Sequence, residues 1–248
     1  MIEVRGLKKR LGHKQVLDGL DLDVEQGETV VVLGPSGTGK SVLLKHMIGL
    51  MQPDAGSIRV AGEEIVGMDE PGLDRVRLKF GMLFQGAALF DSMTVGENVA
   101  LGLTEHSSVP PAEIRRRVTE RLGWVGLKDV EQMKPASLSG GMRKRVGLAR
   151  ALAMDPEIIL YDEPTTGLDP ITGDVINQLI RALQHQLGVT SVVVTHDLMS
   201  AYKVGDRLAM LYQGRVVFIG TPDEVRETDH PMVRQFIEGS SVGPIQPV

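Results

Sequence analysis

Cysteine is absent from this chain of 248 residues, which removes disulfides, iron–sulfur clusters and cysteine-ligated zinc from consideration and fits a reducing compartment. Aromatic residues make only 4%, so few aromatic platforms are available. There is no excess of positive charge: 27 Lys and Arg against 32 Asp and Glu give a formal net charge of -5. No basic run dominates any long stretch, which disfavours the phosphate neutralisation behind direct nucleic-acid binding. No apolar run approaches the ~20 residues needed to span a bilayer. The start, Met1-Ile2-Glu3-Val4-Arg5, lacks the apolar core of a signal peptide. Any dealings with a membrane are expected to go through a partner.

What the chain has in quantity is glycine, 29 residues, well above the usual ~7%. Many turns follow from that. At 42% hydrophobic and 24% charged the composition is that of an ordinary soluble domain, and the length predicts one large domain or two fused lobes.

Short strands are predicted at residues 2–4, 16–17 and 20–24, the last by strict alternation, and a buried strand in Thr29-Val30-Val31-Val32-Leu33. A glycine-rich turn follows, then a helix over 40–50. Strands at 54–60 and 80–84 are joined by polar turns, with a hairpin near Ala61-Gly62. From Gly86 to about Met154 the pattern turns helical, including a helix over 111–122. Strand signals return at 158–161, a helix at about 172–187 and a strand at 191–195. Strands at 208–212 and 215–219 flank Gln213-Gly214, and a helix spans 231–238 before a Gly-, Ser- and Pro-containing tail. The rhythm is that of an α/β core, a parallel sheet covered by helices, interrupted by a helical lobe.

Gly34-Pro35-Ser36-Gly37-Thr38-Gly39-Lys40-Ser41 matches G-x-x-x-x-G-K-[ST] directly after a predicted strand and at the opening of a predicted helix, the context that defines a P-loop. Glycines let the backbone curl until successive N–H groups and the helix N-terminus converge on phosphate oxygens. Lys40 is then placed for the β- and γ-phosphates and the Ser41 hydroxyl for Mg2+. Ile158-Ile159-Leu160-Tyr161 delivers Asp162 and Glu163 at a strand end, where neighbours point to opposite faces. Asp162 is the candidate metal ligand and Glu163 the candidate general base for water. Ser191-Val192-Val193-Val194-Thr195 likewise delivers His196 at the end where ligands bind in open α/β sheets. The other histidines read as solvated surface residues. Leu138-Ser139-Gly140-Gly141-Met142 precedes a predicted helix over 143–154, with Ser139 as its cap and a second exposed set of N–H groups.

These elements, taken together and in this order, resemble the ATP-binding subunit of ABC transporters over nearly the whole chain. The resemblance identifies residues 34–41 as Walker A, Gln85 as the Q-loop glutamine, 138–142 as the signature, 158–162 as Walker B, Gly167-Leu168-Asp169-Pro170 as the D-loop and His196 as the switch histidine. It implies a P-loop ABC ATPase with a RecA-like core, an N-terminal antiparallel β subdomain and an inserted α-helical lobe. The core falls at 1–85 and 155–238, the lobe at 86–154 and the tail at 239–248. The implied cofactors are ATP and Mg2+. The implied catalytic set is Glu163, His196 and Gln85. Nucleotide contacts fall to Leu11, Gly34, Pro35, Ser36, Gly37, Thr38, Gly39, Lys40, Ser41, Val42, Ser139, Gly140, Gly141 and Asp169, and Mg2+ to Ser41, Gln85 and Asp162. Such subunits form head-to-tail homodimers, so a monomer is expected to be catalytically incomplete.

Residues 84–98, the signature ending in Met142, Asp169-Pro170-Ile171-Thr172 and the ending 233–239 are most similar to the ATPases of Mla- and Mce-associated lipid transporters. That likeness implies an integral-membrane permease, an Mce-domain lipid-binding protein and a small STAS-like regulatory protein as partners, phospholipid or a related lipid as cargo, and a peripheral place on the cytoplasmic face of the inner membrane. Ala87, Ala88, Leu89, Phe90, Met93 and Val95 are the expected docking segment for the permease. Three positions depart from the family: Leu11 stands where an aromatic ring commonly stacks on adenine, Val42 where a hydroxyl residue is usual, and Met142 where the signature has Gln. The tail is expected to pack on a dimer mate. Two rival functions are a soluble ABC ATPase working on ribosomes, DNA or cofactor assembly, and a P-loop kinase or GTPase.

Overall fold

A computed structural model describes residues 1–246, which divide into two compact units, Met1–Asp74 with the chain from Thr190 onward, and Arg75–Val189. The first unit opens with β1 (Ile2–Leu11) and β2 (Lys14–Val24), a long antiparallel pair. The sequence predicts shorter strands here because Gly6 and Gly19, both at positive φ, coincide with interruptions in the apolar pattern. The ladder nonetheless runs on through register shifts at bulges. Next come β3 (Thr29–Leu33), α1 (Lys40–Met47), β4 (Ala55–Val60) and β5 (Glu63–Glu64). The order β2-β1-β4-β5 makes one four-stranded sheet. Its last hairpin turns at Ala61-Gly62, both at positive φ, as a two-residue turn with the twist of its strands requires.

After α2 (Glu70–Arg77), the second unit holds β6 (Phe80–Leu83), α3 (Val95–His106), α4 (Pro111–Trp124), α5 (Gly140–Leu152), β7 (Ile158–Asp162) and α6 (Pro170–Leu187). β6 and β7 run parallel with Leu83 opposite Tyr161. A Cβ on Gly81 would sit 2.4 Å from the Ala151 carbonyl oxygen, so only glycine lets β6 lie this close to α5. Arg121, 5% exposed, donates to the Asp155 carboxylate and to the Leu152 carbonyl and lies over the Trp124 ring.

The chain then returns to the first unit with β8 (Thr190–Thr195), α7 (Leu198–Val204), β9 (Arg207–Tyr212), β10 (Arg215–Gly220), α8 (Pro222–Glu227) and α9 (Pro231–Glu238). β3 lies between β8 and β9, parallel to both, with β10 antiparallel outside β9. All five residues of β3 are buried, which explains its unbroken apolar run. α2, α7 and α8 are not expected from the sequence. α7 and α8, of seven and six residues, are too short to establish a helical period, and Pro71-Gly72 breaks the pattern of α2. Each is marked instead by a cap: Asp69 for Gly72 N–H, Asp197 for Met199 N–H, and a Thr221/Glu224 capping box.

One expectation is corrected within the first unit. His46 is not a surface residue: it is 1% exposed on the inner face of α1, with Nδ1 2.7 Å from the Val42 carbonyl one turn back. Burial pushes its pKa below the ordinary imidazole value. The described part of the tail lies on its own subunit. Gln235 donates to Ser240 O and Ile245 O at 3.1 and 3.0 Å and accepts from Ile245 N–H at 2.6 Å, while the Tyr212 hydroxyl accepts from Gln246 N–H at 3.2 Å. Side chains of α9 and β9 thus satisfy the tail backbone locally. Among the described residues no helix is long and apolar enough to cross a membrane.

Candidate active site

The motif residues divide between the units: residues 34–41 and His196 in the first, Gln85, Ser139, Gly140, Gly141, Asp162, Glu163 and Asp169 in the second. β3 ends at Leu33, and the loop turns through Gly37 (φ 76) and Gly39 (φ 104) before α1 begins at Lys40. Gly39 is the N-cap, so no side chain caps α1, and its first turn carries no acidic residue. The helix therefore presents amide donors and the positive end of its dipole to an anion rather than to its own chain. Lys40, 6% exposed, donates from Nζ to Gly34 O at 2.8 Å and Pro35 O at 3.0 Å, and Thr38 Oγ1 donates to Pro35 O at 2.9 Å. The ammonium is thereby held inside the loop that α1 opens.

A cavity of about 270 Å³ lies against this loop, lined by Ser36, Gly37 and Thr38 on one side and by Lys14, Val16, Tyr212 and Gln246 among others. Lys14 Nζ donates to Gly37 O at 3.3 Å. Leu11 ends β1 at 42% exposed and does not line that cavity. Nothing in the sequence marks Tyr212 or Gln246 as neighbours of the P-loop, since the β9–β10 hairpin and the tail bring them there. Thr195 pairs with Leu33 across β8 and β3, so exposed His196 leaves β8 at the same end as the P-loop leaves β3. Asp197, after it, caps α7.

In the second unit the parallel register of β6 and β7 brings Gln85 and the pair Asp162-Glu163 out of the same sheet end. Glu163 is 8% exposed and holds a left-handed backbone, φ 49. Thr166 Oγ1 donates to its Oε2 at 3.0 Å. Ser139 caps α5, accepting from Met142 N–H at 3.2 Å, so Gly140 and Gly141 occupy its first turn. Asp169 caps α6, accepting from Ile171 and Thr172 N–H groups at 3.1 and 3.0 Å, and the Thr172 side chain together with these donors holds its carboxyl below the usual range. The sequence reading misses Lys144. Its Nζ, on the buried face of α5, donates to Gln85 O and, at 3.0 Å, to Glu163 O. Burial pushes its pKa down. Within Arg143-Lys144-Arg145 it reads as part of a solvated charged run, and only its place among the buried residues of α5 sets it apart. In the expected docking segment, Ala87 and Val95 are 1% and 0% exposed, buried in their own unit and unable to face a partner. Phe90, 50% exposed, stands out from the loop that Asn98 ties down through Phe90 N–H and O.

The residues expected to hold Mg2+, Ser41 of the first unit and Gln85 and Asp162 of the second, offer a hydroxyl, an amide oxygen and a carboxylate. Such hard oxygens suit Mg2+ and not a thiophilic metal. No group of three or more His, Cys, Asp or Glu residues forms a metal cage among the described residues.

The ABC transporter family profile matches residues 17–166. Across 244 residues, 98% of this chain and 70% of the relative, the sequence is 46% identical to the probable ribonucleotide transport ATP-binding protein mkl of Mycobacterium leprae. It is 39% identical over 246 residues, 99% of this chain and 93% of the relative, to the intermembrane phospholipid transport system ATP-binding protein MlaF of Haemophilus influenzae. Among solved structures, a dimeric ATP-binding cassette in a post-hydrolysis state with ADP and Pi superposes with a TM-score of 0.83 at 35% identity, covering 90% of this chain and 99% of that one. The chain belongs to the ABC transporter family, as an ATP-binding subunit that hydrolyses ATP.

Proposed function

We propose that this chain powers a membrane permease that moves phospholipid or a related lipid, working as a homodimer on the cytoplasmic face of the inner membrane. The carrying observation is the glycine-framed, uncapped N-terminus of α1 with Lys40 held inside its loop, in a chain similar almost end to end to MlaF. Lys40 and the backbone N–H groups of Gly34, Ser36, Gly37, Thr38, Gly39, Ser41 and Val42 hold the phosphates, Pro35 shapes the loop without an N–H of its own, and Leu11 borders the base. Ser139, Gly140 and Gly141 of one subunit complete the site of the other, with Asp169 beside them.

Ser41, Gln85 and Asp162 hold Mg2+, which neutralises phosphate charge when bound. Glu163 takes the proton of the attacking water, and His196 donates to the γ-phosphate and registers its loss. ATP binding then favours the closed dimer and hydrolysis releases it, a ligand-driven population shift. Movement of the loop after Gln85 reaches the permease through Phe90 and its exposed neighbours. An Mce-domain protein and a STAS-like regulator complete the assembly.

The test is ATPase activity of the purified chain, alone and with its co-purifying membrane partner, for wild type and Glu163→Gln. Dependence on Glu163 and stimulation by the partner support the reading. Full activity of the isolated chain with no membrane partner favours a soluble ATPase. The name carried by the mkl relative makes ribonucleotide the competing cargo, so the reconstituted complex is offered phospholipid vesicles and ribonucleotides separately. Stimulation by ribonucleotide alone would overturn the lipid assignment.

A further inference from the structure

Three residues of the second unit other than glycine hold left-handed backbone next to the motifs: Ala87 (φ 61), Ala88 (φ 48) and Glu163 (φ 49). This conformation is sterically costly for a residue with a Cβ and persists where the surroundings over-determine it. The carbonyl of each accepts a hydrogen bond from a cationic side chain of the same helix, α5. Lys144 Nζ donates to Glu163 O at 3.0 Å and also to Gln85 O. Arg150 donates to Ala87 O at 2.8 Å and to Ala88 O at 2.6 Å. Charge-assisted bonds of this kind are stronger than neutral ones, and more so with water excluded. Lys144 is 5% exposed.

The close approach is itself built in. A Cβ on Gly147, between the two cations on α5, would sit 2.9 Å from Leu83 Cδ1 and 3.2 Å from Ala87 Cβ. The loop after β6 therefore lies directly on the helix and is bonded to it at both ends of the contact.

We propose that Lys144 and Arg150 are positioning residues that fasten the Gln85 loop and the backbone of Glu163 to α5, so that the helix carrying Ser139, Gly140 and Gly141 moves as one body with the base and the glutamine loop of its own subunit. The inference rests on the ATPase reading for its kinetic consequence. The clamp itself is independent of that reading. It gives the signature helix a direct mechanical connection to the hydrolytic carboxylate through Lys144, and to the loop after Gln85 through Lys144 and Arg150.

The test compares wild type with Lys144→Met, Lys144→Arg and Arg150→Lys in the full chain with its membrane partner. It measures kcat, KM for ATP, binding of a fluorescent ATP analogue, and amide exchange at residues 84–90 and 163–166. Lys144→Met is expected to lower kcat about tenfold or more while KM and analogue affinity stay within about threefold, because positioning is lost and ground-state binding is not. Exchange in both segments should rise about tenfold. Lys144→Arg, which keeps charge and donors, should retain about a third or more of wild-type kcat.

Lys144→Met turning over within about twofold of wild type, or leaving both segments as protected as before, overturns the proposal. Should Lys144→Met fail to fold, Arg150→Lys decides: it keeps one donor group in place of a fork and should speed exchange at 86–90 selectively, and unchanged exchange there overturns the clamp. Hydrolysis by Glu163→Gln at the wild-type rate would instead refute Glu163 as the base, and absence of hydrolysis by the wild-type complex would refute the ATPase reading, while the exchange data would still judge the clamp.

Discussion

Gly37 and Gly39 both hold positive φ, 76 and 104, yet their replacement by alanine should differ sharply. Around Gly37 an added Cβ meets nothing within 4 Å, so Gly37→Ala costs only the left-handed backbone, about 1–2 kcal/mol. Roughly 0.4–1 kcal/mol of that is offset by lower entropy in the unfolded chain. At Gly39 the same Cβ sits 3.0 Å from Val16 Cγ1, 3.0 Å from the Val16 carbonyl oxygen and 3.2 Å from Leu17 Cδ2. Val16 and Leu17 are 8% and 0% exposed, and a strand carbonyl cannot swing aside as a side-chain tip can.

Overpacking of this kind adds about 1–3 kcal/mol, for a total near 3 kcal/mol in Gly39→Ala against about 1 kcal/mol in Gly37→Ala. For a chain of this length about 2–4 °C accompany each kcal/mol, so nucleotide-free melts should fall by about 9 °C and about 3 °C respectively. The assay is thermal unfolding of both variants without nucleotide, which separates folding cost from lost binding. Equal shifts, or a larger one for Gly37→Ala, would refute the claim that β2 sets the shape of the loop.

Asp155→Ala should destabilise the chain more than Arg121→Met, about 3 against about 1 kcal/mol in urea titrations. Removing the carboxylate leaves a buried guanidinium with only Glu120, at 3.4 Å, and the Leu152 carbonyl, whereas removing the guanidinium leaves Asp155 near water and still paired with Arg117. Asn98→Ala should cost about 2 kcal/mol by leaving Phe90 N–H without its acceptor and the Met93 carbonyl without its side-chain donor, while the carbonyls of Phe90 and Thr94 keep only their backbone donors, Met93 N–H and Asn98 N–H. Protease cleavage should appear at 88–93 before global unfolding. Arg116 and Arg117 hold the Glu113 carboxyl down at about 2. Because that pKa is lowered on folding, its contribution is present above the ordinary carboxylate range and is lost as pH falls from there toward 2. Amide exchange in the first turn of α4 should quicken over that window in wild type and show no such pH step in Glu113→Gln. Gln235→Ala should free the tail, seen as trypsin cleavage at Arg234 without loss of overall fold.

Much of the architecture is legible in neighbouring residues alone. The β-branched run of β3, the glycine spacing before Lys40, and Asp169-Pro170 with Gly188 at the two ends of α6 each encode a local conformation through constraints that act within a few residues. Where the local signal is broken or too short, reading fails: the glycines of β1 and β2 hide a continuous ladder, Pro71-Gly72 interrupts α2, and α7 and α8 end before a period can show.

The burial of His46 and Lys144, the clamp on residues 85–88, the fit of Val16 against Gly39 and the fold-back of the tail onto Tyr212 and Gln235 are of another kind. A cation in a charged run and a histidine on a helix have no address until packing assigns each a side of its helix. The sequence by itself determined which segments turn, extend and coil, because those are set by backbone sterics and nearest neighbours. Only the tertiary structure decided which polar groups leave water, because desolvation depends on what distant segments pack around them.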